Sequence, residues 1–291
     1  MKLSNKQKGI LALIGLAFTY ASFGFFTRYL SVNFGFFQQL YLRLFAGLII
    51  GFLIFGKNFD FSKLKKITLN EWLLLIFRVA AYYLLGAALF NKAILLTKIS
   101  TVAFIGSLPM TAILGFIILK EKISSQKIFY LSLSFIGIII ISINSFSDFS
   151  FGQGEILALM SCIFASLSIV FRKYQTKLLN NVEITQIQIF FASIFILIAS
   201  LLTKEGMPIN NWNESVLFII LLSGLANVLM IFFTNYGFEK VKTSIASNIL
   251  TLEMFFALLI GFIFYRELPN LKETLGGVLI LFSVIQMNKL E

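Results

Sequence analysis

Long runs of apolar residues, separated by short polar segments, fill almost the whole chain. Ten such runs lie at about residues 9–30, 36–56, 71–90, 99–119, 127–143, 154–171, 183–202, 214–235, 243–265 and 272–288. A hydrocarbon core of about 30 Å requires roughly 20 apolar residues in a helix that crosses it. The pattern therefore predicts an all-α membrane protein with ten transmembrane helices, which we number as spans 1 to 10.

The composition agrees with this pattern and excludes several kinds of chemistry. Hydrophobic residues make up 58% of the chain and charged residues only 13%, against about 25% in soluble domains. There is no histidine, so Ser–His, Cys–His and His-ligated metal sites are excluded. No glycine-rich P-loop for ATP is present. We therefore expect no catalytic residues, no metal and no cofactor, and the chain is not expected to be an enzyme.

The distribution of positive charge predicts the orientation in the membrane. Of the 24 Lys and Arg residues, two lie inside spans, sixteen lie in segments on the side of the N-terminus, and six lie in segments on the other side. Cytoplasmic segments carry the excess of positive charge. Both termini are therefore expected in the cytoplasm, with the chain in a bacterial inner membrane. The net charge of +11 follows from this topology, so no nucleic-acid partner is expected.

The two halves of the chain, residues 1–146 and 147–291, resemble each other. The clearest match is between residues 115–121, Gly-Phe-Ile-Ile-Leu-Lys-Glu, and residues 261–267, Gly-Phe-Ile-Phe-Tyr-Arg-Glu. Each half holds five predicted spans, and because five is odd the second half must enter the membrane from the opposite side. Inverted repeats are typical of secondary transporters, with the substrate site near the midplane between the halves. The predicted fold is two inverted five-helix repeats.

Small residues spaced four apart predict where helices approach closely. Three such pairs stand out, namely Gly47 and Gly51, Thr111 and Gly115, and Ala257 and Gly261. The last two pairs occupy equivalent positions in the two repeats. We expect all three pairs to serve helix packing.

Several motifs resemble those of the drug/metabolite transporter superfamily, and in particular its EamA-type ten-helix members. They are Arg43 in span 2, the Ser-Leu-Pro at residues 107–109 in span 4, and Thr-Leu-Glu-Met-Phe-Phe-Ala at residues 251–257. The last is similar to the family's Leu-Glu-Pro-Val-Phe-Ala stretch, although Met254 stands where the family usually has proline. The resemblance covers essentially the whole chain. It implies a central cavity lined by spans 1–4 and 6–9, with spans 5 and 10 at the periphery.

Glu253 is the only acidic residue deep inside a span. It lies 11 residues after Lys242 and 12 residues before Tyr265, which places it roughly 17 Å of helix from either surface. A charge at the bilayer centre costs at least about 2.5–3.5 kcal/mol. Two interpretations are open: a site for proton coupling or for a cationic substrate group, or a carboxyl that holds two helices together by hydrogen bonds.

Two arginines also lie inside spans. Arg43 and Arg78 are each about six or seven residues from a helix end, so their long side chains can partly reach the interface. Each is either a structural clamp or a contact to substrate. Tyr82, one turn after Arg78, is a candidate to share a polar cavity face with it.

Polar residues also form stripes on spans 8 and 9. Ser223, Asn227 and Thr234 share one face of span 8, and Asn248 and Thr251 belong to one face of span 9. Either stripe serves interhelical hydrogen bonds or substrate contact. On a continuous helix Glu253 points nearly opposite to Thr251, so only one of the two is expected to face a cavity.

These features together favour a secondary-active transporter of a small metabolite, working by alternating access. One acid and two arginines suit an amino acid or a related compound with an amine and a carboxylate. The alternatives are an uptake carrier for a nucleotide-like metabolite such as S-adenosylmethionine, and a membrane scaffold that transports nothing. The expected partners are the lipid bilayer, the substrate and protons as a coupling ion, and a homodimer is an open alternative.

Overall fold

The computed structural model describes residues 4–108, 110–119, 124–145, 150–241, 246 and 249–290 as a bundle of α-helices. The helices of the first half are α1 Asn5–Ser31, α2 Phe36–Phe55, α3 Leu69–Val79, α4 Ala88–Leu96, α5 Ile99–Gly106, α6 Met110–Leu119 and α7 Ser125–Ser142. Those of the second half are α8 Gln153–Phe171, α9 Asn181–Leu202, α10 Glu214–Lys240, α11 Leu252–Tyr265 and α12 Leu271–Lys289. A short antiparallel pair, β1 Ile143–Ser145 and β2 Ser150–Phe151, lies between the halves.

Among the described residues, six helical stretches are long and apolar enough to cross a membrane. They are Asn5–Ser31, Phe36–Asn58, Leu69–Leu96, Gln153–Tyr174, Asn181–Leu202 and Glu214–Lys240. Two shorter apolar helices, Ser125–Ile141 and Leu252–Tyr265, accompany them. The chain is therefore a multi-pass, predominantly helical membrane protein, as the hydropathy predicts. The exact count of ten spans and the inverted arrangement of the repeats stay predictions.

Two of the predicted spans are not single α-helices. In span 3, a π-helical turn at Ala80–Ala87 separates α3 from α4. In span 4, α5 ends at Gly106 and α6 begins at Met110. A π-helical turn re-aims the side chains around it and often occurs at functional sites. Hydropathy does not register either change, because both segments remain apolar.

Capping residues set several of the helix starts. At the start of α3, the Thr68 side chain accepts from the Glu71 backbone N–H, and the Thr68 backbone N–H donates to the Glu71 carboxylate. Asn180 and Glu183 form the same two bonds at the start of α9. Asn270 and Glu273 form the corresponding pair at the start of α12. Each pair satisfies backbone N–H groups that have no partner within the helix. These polar pairs mark the ends of apolar helices.

Glycines allow two close helix crossings. At the crossing of α2 and α10, a Cβ added to Gly47 would lie 2.9 Å from the Gly224 carbonyl oxygen. On the same helix, a Cβ added to Gly51 would collide with the Gln186 side chain of α9. At the crossing of α7 and α12, a Cβ on Gly137 would lie 2.8 Å from the Gly276 carbonyl oxygen. Helices α7 and α12 thus pack on each other, which corresponds to spans 5 and 10.

Candidate functional site

A cavity of about 850 Å³ lies inside the bundle. Both halves of the chain line it, with α1 to α6 on one side and α8 to α11 on the other. Helices α7 and α12 contribute only Lys127 and Val284. The cavity therefore lies where the resemblance implied, between the two repeats. Of the six polar candidates from the sequence, five line it, namely Arg43, Arg78, Tyr82, Asn227 and Glu253. The sixth, Asn248, lies outside the described residues.

Arg43 on α2 is 2% exposed and connects three helices. Its Nη2 donates to Asn91 Oδ1 on α4 at 2.8 Å, and its Nη1 donates to Thr27 Oγ1 on α1 at 3.3 Å. Thr27 in turn donates to Asn91. This is the structural arrangement that the sequence left open. Arg43 also lines the cavity, so a contact with substrate stays a proposal.

Arg78 on α3 joins the first half to the second. Its Nε donates to the Ser168 carbonyl oxygen on α8 at 3.0 Å, and the Ser168 hydroxyl donates back to the Arg78 carbonyl oxygen at 2.9 Å. The residue is 4% exposed and lines the cavity. This reciprocal pair fixes the guanidinium at the cavity wall.

Glu253 lies in the first turn of α11, half-buried at the cavity wall. No described residue forms a hydrogen bond or an ion pair with its carboxylate, so the structure does not show the helix-joining role that the sequence left open. The hydroxyls of Tyr20 and Tyr82 lie 3.3 Å apart. Tyr20, Tyr82 and Glu253 all line the cavity, so a carboxylate and two phenols contribute to its wall.

Thr251 and Glu253 both line the cavity, although only one of them was expected to face it. Regular α11 begins at Leu252, and Thr251 before it has helical dihedral angles, with φ of −62° and ψ of −17°. Two residues of helix turn a side chain by about 200°, so the two residues face different parts of the cavity wall.

The hydroxyl and amide donors in the polar stripe of span 8 bond to carbonyl oxygens of their own helix. Ser223 donates to the Ile220 carbonyl, Asn227 to the Ser223 carbonyl, and Thr234 to the Met230 carbonyl. Such bonds satisfy the donors without a partner helix. Asn227 and Thr234 still line the cavity, whereas Ser223 does not.

Several buried polar atoms at the cavity wall have no hydrogen-bond partner in the described part of the chain. They are Arg43 Nε, Arg78 Nη1 and the Tyr83 hydroxyl. A buried donor without a partner costs about 1–3 kcal/mol. Such donors in a cavity wall are suited to contact water or a polar ligand.

Ion pairs join the two halves at both faces of the bundle: Lys63 bonds Glu183 near the start of α9 at 2.8 Å, and two further pairs lie at the other face. There, Arg28 at the end of α1 bonds Glu267 after α11 at 2.5 Å, and Lys98 before α5 bonds Glu273 in α12 at 2.8 Å. None of these four residues lines the cavity. The cavity instead reaches the opposite face, where its wall includes Lys127, Arg172 and Lys173 at helix ends. We call this second face the N-terminal face, because α1 begins beside Val241 there.

The expectation of close helix packing at Gly261 is wrong. A Cβ added there would meet only the side chain of Glu267, at 3.4 Å. Arg266 ends α11 in a left-handed conformation, with φ of 56°, and the chain folds back so that the Glu267 N–H donates to the Gly261 carbonyl. Gly261 therefore makes room for the carboxylate that bonds Arg28 and the backbone N–H of Ile99.

The other small-residue positions have different surroundings. Ala257 is fully buried. Thr111 donates to the Ser166 hydroxyl on α8 at 3.2 Å, which ties α6 to α8. Gly115 lines the cavity in the same helix. In the first repeat, Thr111 and Gly115 therefore both lie at the cavity wall.

Comparison with known families agrees with this geometry. The sequence model of the EamA-like transporter family matches the chain twice, over residues 7–143 and 152–289. The chain belongs to the EamA-like transporter family. The resemblance drawn from the motifs is thereby confirmed. This family consists of membrane transporters of small molecules, and the two matches follow one another as the two halves do.

One solved structure, titled "Crystal structure of protein", has the same fold as this EamA-like chain. It is 12% identical, with a TM-score of 0.67, and the alignment covers 97% of this chain and 98% of that one. At this identity the likeness concerns the fold alone. No curated protein matches the chain.

Sequence reasoning missed several residues of this EamA-like site. Arg172 was counted only as a loop charge, and Ser168 and Thr27 were not singled out. Asn91 was visible only through the repeat, since its stretch recurs at Asn235. Their roles depend on which helices meet, and that information is not contained in the hydropathy pattern.

Proposed function

We propose that this protein is a secondary-active transporter that moves a small metabolite with an amine and a carboxylate, such as an amino acid, by alternating access. The observation that carries the proposal is the cavity between the repeats, which both halves line. One half supplies the guanidiniums of Arg43 and Arg78, and the other supplies the carboxylate of Glu253. Opposite charges on one cavity wall are complementary to a zwitterion.

The ends of the cavity support alternating access. Arg28–Glu267 and Lys98–Glu273 join the halves at one face, whereas at the N-terminal face, where Lys63–Glu183 joins them, the cavity extends to the helix ends. Two inverted repeats of five spans would exchange these states by rocking against each other. On this proposal both termini lie in the cytoplasm of a bacterial cell with the protein in the inner membrane, and the cavity faces inward in this structure.

Glu253 is proposed to couple transport to protons. Its carboxylate has no bonded partner among the described residues, so it can take either a proton or the ammonium group of the substrate. Competition between the two for one site exchanges one for the other. The substitution Glu253→Gln keeps the shape and the hydrogen-bonding capacity but removes the titration.

The test uses purified protein in proteoliposomes and a panel of radiolabelled amino acids. Saturable uptake of one of them separates a transporter from a scaffold. We expect Glu253→Gln to keep exchange down a gradient and to lose accumulation driven by a pH gradient. The matched control is Glu214→Gln, because Glu214 is exposed in the first turn of α10 and away from the cavity. Accumulation by Glu253→Gln equal to wild type, with the same pH profile, would refute the coupling role.

A further inference from the structure

The charges around the cavity are unequal. Its described wall carries the guanidiniums of Arg43, Arg78 and Arg172. The same wall carries one acidic side chain, Glu253. A cleft lined mainly by one sign of charge concentrates ligands of the opposite sign. The excess of positive charge points to an anionic group on the substrate.

Two of these cations lie close together near the N-terminal face. Arg78 is held by Ser168 on α8, and the Nη2 of Arg172, just after the end of α8, donates to the Asn235 carbonyl oxygen at 3.0 Å. Arg172 follows Ser168 by four residues, about one turn of helix, so the Arg78 guanidinium that is bonded to Ser168 lies beside Arg172. Like charges held together without an anion between them are unfavourable.

Neither arginine has an acidic partner in the described cavity wall. The acid whose charge acts on Arg172 is Glu239, and Glu239 does not line the cavity. Its carboxylate is bonded to Lys240 at 2.6 Å and to Asn181 at 2.6 Å. Meanwhile Arg78 Nη1 is buried without a hydrogen-bond partner. A donor is therefore available at this place for a negatively charged group.

We infer that the anionic end of the substrate, in the proposed class its carboxylate, binds between Arg78 and Arg172. Guanidinium groups bind carboxylates through two parallel hydrogen bonds, which makes such pairs strong and directional. Glu253, with Tyr20 and Tyr82, then faces the other end of the substrate. The cavity has two electrically different ends, and it orients the substrate between them.

The test measures the potential at each end with cysteines on α8. Cys162 is the only cysteine of the chain, lines the cavity, and is close enough to feel the charge of Glu253. Ile169 also lines the cavity. It lies three residues before Arg172 and about 10 Å along the helix from Cys162. The second reporter is Ile169→Cys in a Cys162→Ala background. Each is labelled with an anionic sulfonatoethyl and a cationic trimethylammonium methanethiosulfonate.

We expect the cysteine at position 169 to prefer the anionic reagent by about tenfold or more over a free thiol in solution. The preference at Cys162 should be smaller or reversed. Arg78→Gln should reduce the preference at position 169 several-fold, whereas Arg78→Lys, which keeps the charge, should retain it. Arg172→Gln should reduce it as well, without removing the bond to Ser168.

Three results would overturn the inference. They are a preference for the cationic reagent at position 169, an equal ratio at both cysteines, and no reaction at position 169 with either reagent, which would show that this end does not admit anions. The inference rests on the proposed transport function, but the labelling ratio is measured without any transport assay. Failure of transport in Glu253→Gln and failure of the charge preference are therefore separate outcomes.

Discussion

The crossing of α2 and α10 gives a stability prediction that follows directly from distances. In Gly224→Ala, the new Cβ would lie 2.7 Å from both the Ala46 Cβ and the Gly47 backbone nitrogen. Ordinary contacts of a Cβ begin near 3.4 Å, so the helices must separate locally by about 0.7 Å. The atoms in the way are backbone and Cβ atoms, which cannot turn aside as the end of a flexible side chain can.

Two opposing effects set the magnitude. Overpacking a tight contact costs about 1–3 kcal/mol, with the upper part of this range expected where backbone must move. Alanine in place of glycine in a helix interior regains about 1 kcal/mol. The free energy of unfolding of Gly224→Ala should therefore fall by about 1–2 kcal/mol.

Thermal unfolding of the purified protein in detergent provides the assay. The matched control is Gly106→Ala at the end of α5, where an added Cβ would meet nothing within 4 Å. Without a clash, the control should be as stable as wild type or more stable by up to about 1 kcal/mol, and its unfolding temperature should not fall. If Gly224→Ala is as stable as Gly106→Ala, the close approach of α2 and α10 does not limit packing, and the reasoning fails.

Two further predictions concern access to the cavity. Glu267→Gln removes the ion pair to Arg28, and at a loss of about 1 kcal/mol the state open at that face should be populated about fivefold more. Labelling of Cys162 by an impermeant thiol reagent from that face should rise accordingly, and an unchanged rate would show that the pair does not hold the face closed. Cysteines at Lys65 and Lys177 should be labelled only from the cytoplasmic side and one at Lys204 only from outside, whereas labelling of all three from one side would contradict the inverted repeats.

The sequence alone determined the membrane character, the family and the position of most helices. Apolar runs of about 20 residues have few alternatives, because the hydrocarbon thickness sets the length and the absence of water requires helices. It also singled out Arg43, Arg78 and Glu253, since an ionisable group inside a span is costly and needs a specific environment. These inferences depend on the type and position of single residues along one helix.

Only the tertiary structure decided what those residues touch. Gly261 matches Gly115 in sequence, yet it makes room for Glu267 rather than for another helix. Thr251 and Glu253 both line the cavity, because its wall is wide enough to include two faces of one span. Arg172 became part of the cavity only because the end of α8 lies beside Arg78. In lipid the hydrophobic effect does not select which helix faces pair, so shape and hydrogen bonding between helices decide it, and a single helix sequence does not contain its partner.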